Sequence, residues 1–364
     1  MPKWVQTKNG KGQDVRSNSM ITLKEIAQMA GVSRGTVDRV LNHRGGVSEE
    51  TARKVQAIVD SVGYVPNSIG RTLAISRKNI RLGYLIFQGT TANPFFTEVL
   101  RGVEKKEEEL RSFGVTVIKA SSSIEDETGA GQIEKIDRME AEGIQGLAIT
   151  PFEHPAVAKR LKELAARGIP VVTVNTDLKD SGRLCYVGSD YKKSGEMAGG
   201  LMGLFHPQGG HIGIISGSSM VACHVEREKG FREILKQRYP ALAIEAAVAN
   251  QDDDFISFDV TRQMLIAHPK ITGLYIVAGG VYGACRAVQA AGMQERIAVI
   301  SHDKAESTLQ MLKKGILNAT IGQEAKKQGS EPLQILYDYL SSGTRPPAEV
   351  MHTCLDICIR ETIA

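Results

Sequence analysis

Thr22-Leu-Lys-Glu-Ile-Ala-Gln-Met-Ala-Gly31-Val-Ser33-Arg-Gly-Thr-Val-Asp-Arg-Val-Leu-Asn42 decides how the amino-terminal part of this 364-residue chain folds. Thr22 and Glu25 have the spacing of a capping box, in which each side chain satisfies a free amide of the first helical turn. Leu23, Ile26, Ala27 and Ala30 then share one helical face. Gly31 permits a tight turn, and Val32 is placed to plug the space between two helices. Ser33 is positioned to N-cap a second helix, whose apolar stripe is Val37, Val40 and Leu41. Two short helices joined by a glycine-containing turn form a helix-turn-helix, the second helix of which enters the DNA major groove. A plain helical hairpin has the same periodicity, so pattern alone leaves both readings open.

The flanks favour the first. Val47-Ser48-Glu49-Glu50 reads as a hydrophobic staple, an N-cap and two acids at the positive end of a third helix. That helix carries Ala52, Val55, Ile58 and Val59 inward and stops at Gly63. Residues 1–79 carry a net charge of +7 within a chain of only +4, so the remainder is mildly acidic. A basic amino-terminal module is the expected footprint of phosphate-backbone binding.

The run from Thr22 to Leu73 resembles the DNA-binding headpiece of the lactose-repressor (LacI/GalR) family. The matching pieces include Ala30-Gly31-Val32-Ser33, Arg39-Val40-Leu41-Asn42, Gly63-Tyr64, Pro66-Asn67 and Arg71-Thr72-Leu73. The resemblance implies a headpiece over 20–66 and a hinge segment over 67–79. It also implies DNA contacts from Thr22, Ser33, Arg34, Gly35, Thr36, Asp38, Arg39, Asn42, Asn67 and Leu73. Arg34 and Arg39 are the side chains suited to guanine edges, while Ser33 and Thr36 suit the phosphate backbone. Asp38 either accepts from a cytosine amine or repels a phosphate, and Gly35 removes a side chain the family often uses. In the family the hinge segment becomes helical on DNA and its leucine, matched by Leu73, wedges into the minor groove. The implied partner is palindromic operator DNA, bound by a homodimer.

Residues 1–19 are polar and are expected to form a disordered arm. No run of 18 apolar residues exists, so no membrane partner is expected, and the start has no apolar signal core. The five cysteines show no paired metal spacing and fit a reducing cytoplasm. Cys354 and Cys358 are expected on one strand face, both buried.

From Ile80 onward, apolar runs at 82–86, 115–118, 146–149, 171–174, 211–215, 273–277 and 297–300 alternate with amphipathic stretches such as 96–110 and 191–205. Such alternation predicts α/β structure with parallel sheets covered on both faces. The region over 80–364 resembles the type I periplasmic-binding-protein fold that the same family carries behind its headpiece. This implies two lobes and three passages of the chain between them, placed near 178–184, 301–305 and 322–332.

Open α/β sheets bind ligands at the loops that follow their strands. Asn93-Pro94-Phe95-Phe96 resembles the ribose-binding branch. Asn93 can donate and accept toward a hydroxyl, while Phe95 and Phe96 either face sugar C–H groups or plug the core. Asn175-Thr176 stands where that branch has an Asp-Arg pair, and Asp177 then caps the following turn or touches ligand. Arg227 matches the family arginine that forks onto vicinal hydroxyls or a carboxylate; the alternative is a surface ion pair with Glu228 or Glu233. Asp303 matches the family aspartate at a lobe passage or caps helix 304–314, and Gln323 resembles the last polar contact. Asp190 reads as a helix cap. The family's Asn-Asp pair is replaced by Ala278-Gly279-Gly280-Val281-Tyr282. The two glycines admit close approach, and Tyr282 restores a hydroxyl. The effector implied is a sugar or polyol other than plain ribose, with no cofactor and no metal.

A sugar-binding protein without a regulatory role would leave residues 20–79 unexplained. A glycosidase would need two framing carboxylates, and nothing distinguishes Asp190 and Asp303 from hydroxyl acceptors. Ser218-Ser219 lacks a nucleophile elbow, and the eight histidines show no metal spacing. The sequence reads as that of a regulator rather than an enzyme.

Overall fold

The computed structural model describes residues 23–41, 45–62, 79–88, 94–123, 128–218 and 221–363. They fall in two compact units, Met1–Ala74 and Ile75–Ala364. The arm over 1–19, most of the hinge segment, Thr22, Asn42, Asn67, Leu73 and Asn93 lie outside the described residues.

The first unit holds α1 (Leu23–Ala30), α2 (Arg34–Leu41) and α3 (Glu49–Ser61). Ile26, Ala27, Ala30, Val37, Val40, Val55 and Val59 form its core, with Val32 packed against them. The turn after α1 needs a left-handed residue, supplied by Gly31 at φ +68. Ser33 Oγ accepts from the Thr36 amide at 3.1 Å, and Ser48 Oγ caps α3 through the Thr51 amide at 3.3 Å.

The second unit contains two six-stranded sheets. One is built from β1 (Ile80–Phe87), β2 (Val115–Ser122), β3 (Gly146–Ile149), β4 (Val171–Val174), β5 (Cys185–Gly188) and β11 (Val350–His352). The other takes β6 (Gly210–Ser216), β7 (Leu242–Ala249), β8 (Gly273–Ile276), β9 (Ala298–His302), β10 (Ala319–Gly322) and β12 (Asp356–Cys358). Their orders are β2-β1-β3-β4-β5-β11 and β7-β6-β8-β9-β10-β12. All pairings are parallel except β10 with β12. Both sheets are doubly wound, and each has a switch point beside its first strand, where such sheets open a binding crevice.

The helices are α4 (Phe95–Arg111), α5 (Ala130–Ala141), α6 (Pro155–Ala166), α7 (Tyr191–Phe205), α8 (Ala222–Arg238), α9 (Asp254–Ala267), α10 (Val281–Ala290), α11 (Glu306–Lys313) and α12 (Ala325–Ser342). Glycines bring two helix pairs into backbone contact. A Cβ on Gly195 of α7 would lie 1.9 Å from the Arg227 carbonyl of α8, and one on Gly102 of α4 would lie 2.0 Å from the Lys326 carbonyl of α12.

The chain passes between lobes at 189–190, 323–324 and 353–355, because α7 packs on the second sheet, α12 on the first, and β11 and β12 join opposite sheets. Only the passage expected over 322–332 matches. Residues 178–184 stay in the first lobe because β5 follows them, and 301–305 stay in the second because α11 packs into its core. Cys354 is exposed rather than buried, since it sits on a passage before β12, while Cys358 is buried as expected.

Candidate functional site

On the headpiece, Ser33, Arg34, Gly35 and Arg39 are exposed at the start and outer face of α2, whereas Thr36 and Asp38 are half-buried. Val37 and Val40 anchor the opposite face. Arg34 at the helix start and Arg39 five residues on both stand exposed, as readout of a major groove requires.

In the second unit, a cleft of about 320 Å³ opens between the lobes at the carboxyl ends of the strands. Pro94, Phe95 and Glu98 line it from the first lobe, and Tyr282, His302, Asp303 and Gln323 from the second lobe and its passage. Phe95 is nearly buried, with Phe96 edge-on behind it at 5.2 Å between ring centroids. Phe96 also packs on Phe87 at 5.8 Å, so it supports the wall rather than forming it.

Asp303 adopts φ +69 and accepts from Gln323 Nε2 at 2.7 Å. It caps nothing, because α11 starts after Ala305 without a side-chain cap. Burial raises its carboxyl above the usual range, while the Arg227 charge and the Gln323 hydrogen bond pull the other way. Gln323 Oε1 is buried without a hydrogen-bond partner.

Arg227 is 3 % exposed, which removes the surface ion-pair reading. Glu228 pairs instead with Arg232, and Glu233 with Lys192. The Arg227 guanidinium donates through Nη1 to the Val277 carbonyl at 3.0 Å and lies 5.3 Å from the centre of the Tyr191 ring, while its Nε has no partner. Burial opposes its charge, but Asp303 and Cys223 favour it and hold the guanidinium protonated.

Asn175 takes φ +62 at the end of β4, and its side chain turns to Gln328 Oε1 at 3.4 Å. Its carbonyl accepts from Tyr186 Oη at 2.8 Å and Tyr191 Oη at 2.7 Å. Thr176 is half-buried beside it, and Asp177 is engaged by Arg183 at 2.5 Å. Asp190 caps α7 through the Lys193 amide at 2.9 Å.

The diglycine loop is set from behind. Asn250 Nδ2 donates to the Gly279 carbonyl at 2.7 Å, and Asp252 Oδ1 accepts from the Gly279 amide at 2.6 Å. Gly280 has φ +77, and a Cβ there would lie 2.6 Å from Asn250 Nδ2. Tyr282 accepts from Arg286 Nη1 at 3.2 Å.

Three features escaped sequence reasoning. The cleft also takes Lys304, which pairs with Asp356, and Lys326, which lies 3.6 Å from Glu98. Near Arg227, His224 is raised to about 9: burial works against its charge, but Cys223 and Asp252 outweigh it. Burial likewise resists ionisation of the Cys223 thiol, yet His224 and Arg227 lower its pKa. Their placement on α8, one turn ahead of Arg227, was the available signal. Among the described residues no cluster has the makings of a metal site.

Residues 22–67 match the family described as bacterial regulatory proteins, lacI family, and residues 84–344 match the periplasmic binding protein domain. Relatives include the ribose operon repressor of Halalkalibacterium halodurans, 28% identical over 73% of this chain and 75% of that protein. The ribose operon repressor of Escherichia coli (strain K12) is 28% identical over 79% of this chain and 84% of its own length. A solved solute-binding protein of an ABC transporter from Burkholderia graminis, in complex with D-arabinose, superposes with a TM-score of 0.71 at 22% identity, covering 78% of this chain and 96% of that one. That likeness speaks to the fold of the lobes. The headpiece and the two-lobed body together place the chain in the LacI family of DNA-binding transcriptional regulators, which are not enzymes.

Proposed function

We propose that the chain is a repressor whose hold on a palindromic operator is controlled by a sugar or polyol in the interlobe cleft. The observation that carries this reading is Gln323 Oε1, buried without a partner beside Asp303 and the apolar Phe95 wall of the cleft. The buried Arg227, whose Nε is also unsatisfied, is near enough to Asp303 for each to favour the other's charge. A donor, an acceptor and a carboxylate around an apolar face suit hydroxyl groups, which both donate and accept, on a carbon ring. The names of relatives point the same way: both repressors named above are ribose operon repressors.

Arg34 and Arg39 read base edges, Ser33 and Thr36 hold backbone, and Asn67 and Leu73 complete the contacts. Effector closes the lobes about their three passages, and by linkage effector and operator change each other's affinity by one factor.

The chain acts as a homodimer in the cytoplasm. One exposed face of α9 is self-complementary: Phe255 is 85% and Ile266 70% exposed, with Asp259 and Arg262 between them. An antiparallel copy sets Phe255 against Ile266 and Asp259 against Arg262 in both directions, as a twofold interface requires. Among the described residues no helix is long and apolar enough to cross a membrane.

The test is calorimetry with a panel of pentoses, hexoses and polyols, together with operator binding by anisotropy on DNA selected from a random pool. Binding of a panel member that Arg227→Ala abolishes, while operator affinity persists, supports the reading. Ligand affinity that survives this substitution moves the site elsewhere.

A further inference from the structure

Gln328, in the first turn of α12, is fully buried and is not part of the cleft wall. Its Nε2 donates to the Gln323 carbonyl at 3.0 Å and lies 3.5 Å from both Ser189 Oγ and Thr353 Oγ1. These partners stand one on each of the three interlobe passages. Ser189 Oγ and Thr353 Oγ1 also lie 2.9 Å from one another. On the other side of the amide, Oε1 accepts from Asn175, whose carbonyl holds Tyr191 Oη, and the Tyr191 ring carries the Arg227 guanidinium.

We infer that Gln328 is a positioning residue that joins the three passages into one hinge and connects that hinge, through Asn175 and Tyr191, to Arg227. A primary amide suits this place because it presents a donor nitrogen and an acceptor oxygen on one flat group. Its nitrogen has two hydrogens for three acceptors. At any moment one contact is weak, and alternative pairings lie close in energy, so the amide can trade partners as the passages turn. The passages therefore bend together, and a shift at Asn175 or Tyr191 reaches all three. The regulatory use of this hinge rests on the sensor reading given above, but the hinge itself needs neither effector nor DNA to be observed.

Hydrogen–deuterium exchange on the full-length chain tests it. In Gln328→Leu, peptides covering 189–190, 323–324 and 353–355 should all exchange about tenfold faster, as loss of shared buried hydrogen bonds frees them, while the centres of β1 and β8 stay protected. Acceleration confined to α12, or spread evenly through both lobes, would overturn the inference, as would no change. Should Gln328→Leu fail to fold, Ser189→Ala and Thr353→Val each remove one partner outside α12. Each should speed exchange at the other two passages, and an effect limited to its own passage overturns the inference. If the sensor reading alone is wrong, these patterns persist while every sugar fails to alter them.

Discussion

At the scale of single residues, burial decides what each charge in the cleft can do. Arg227 and Asp303 are each other's counter-charge in a place with little water. No salt bridge joins them, since Arg227 donates to the Val277 carbonyl and Asp303 accepts from Gln323. Removing one withdraws a longer-range support from the other, at a cost of about 1–3 kcal/mol, whereas removing both costs less. Arg227→Ala should therefore lower stability in urea by about 1–3 kcal/mol, and adding Asp303→Asn should recover part of that loss. Strictly additive losses would show that the two charges do not depend on each other. His302 gives a pH test. Burial holds its pKa well below the ordinary 6.5, and its Nε2 shares a hydrogen bond of 2.8 Å with Tyr275 Oη. Unfolded, the imidazole takes a proton as the pH falls through 6.5; folded, it stays neutral. Stability is thus lost on the acid side of that value, by up to about 1.4 kcal/mol per pH unit for one proton. His302→Gln keeps a hydrogen-bond partner for Tyr275 and should flatten that acid arm in thermal melts between roughly pH 5 and 6.5. An unchanged slope would assign it to other groups.

At the scale of elements, two glycines on α7 make a matched experiment. Gly195 has no room for a methyl group against the Arg227 carbonyl, while Gly200 has nothing within 4 Å. Gly195→Ala should force α8 away, cost about 1–3 kcal/mol and weaken effector binding by displacing Arg227. Gly200→Ala should stabilise by about 0.5–1 kcal/mol, since alanine suits a helix interior better. Equal effects at both positions, in melts and in calorimetry, would refute the close-packing argument. The elements also show what a sequence reveals. Fully buried parallel strands such as Leu82–Ile86 within β1 announce themselves as apolar runs. β7 does not, because it is an edge strand whose buried and half-buried apolar residues alternate with exposed positions that are mostly alanine, and the three-residue β11 and β12 are too short to carry a pattern. Phe95, Asp303 and Gln323 stood at legible positions, Asp303 and Gln323 directly after a strand and Phe95 at the start of the helix that follows β1. Two of the three passages did not, because crossing from one lobe to the other is a tertiary event with no local chemistry. Lys326 and Gln328 were hidden for the same reason: Lys326 reaches Glu98, and Gln328 reaches Asn175, Ser189 and Thr353, only through the return of α12 to the first lobe.

At the scale of the whole molecule, the self-complementary face of α9 makes the assembly testable by charge exchange. Arg262→Asp should set like charges opposite one another and shift the dimer toward monomer in sedimentation velocity. Combining it with Asp259→Arg should restore the dimer, because each acid again meets a base. If the single variant stays dimeric, the interface lies on another face. A sensor that fails to dimerise should also hold its operator less tightly, since two headpieces no longer share one site.

The order of the strands carries a consequence for synthesis. The headpiece is complete once its three helices have emerged, but the first lobe lacks α12 and β11 until residues 325–352 are made, and the second lobe waits for β12. At roughly 5–20 residues per second, the ribosome leaves the first sheet without its closing helix for on the order of ten seconds after β5 is finished. During that interval the nascent chain has a DNA-reading end and no completed sensor. A message cut short in that window would yield a fragment whose first lobe lacks Leu333, Ile335 and Leu336 from its core and so leaves apolar faces uncovered, a target for proteolysis.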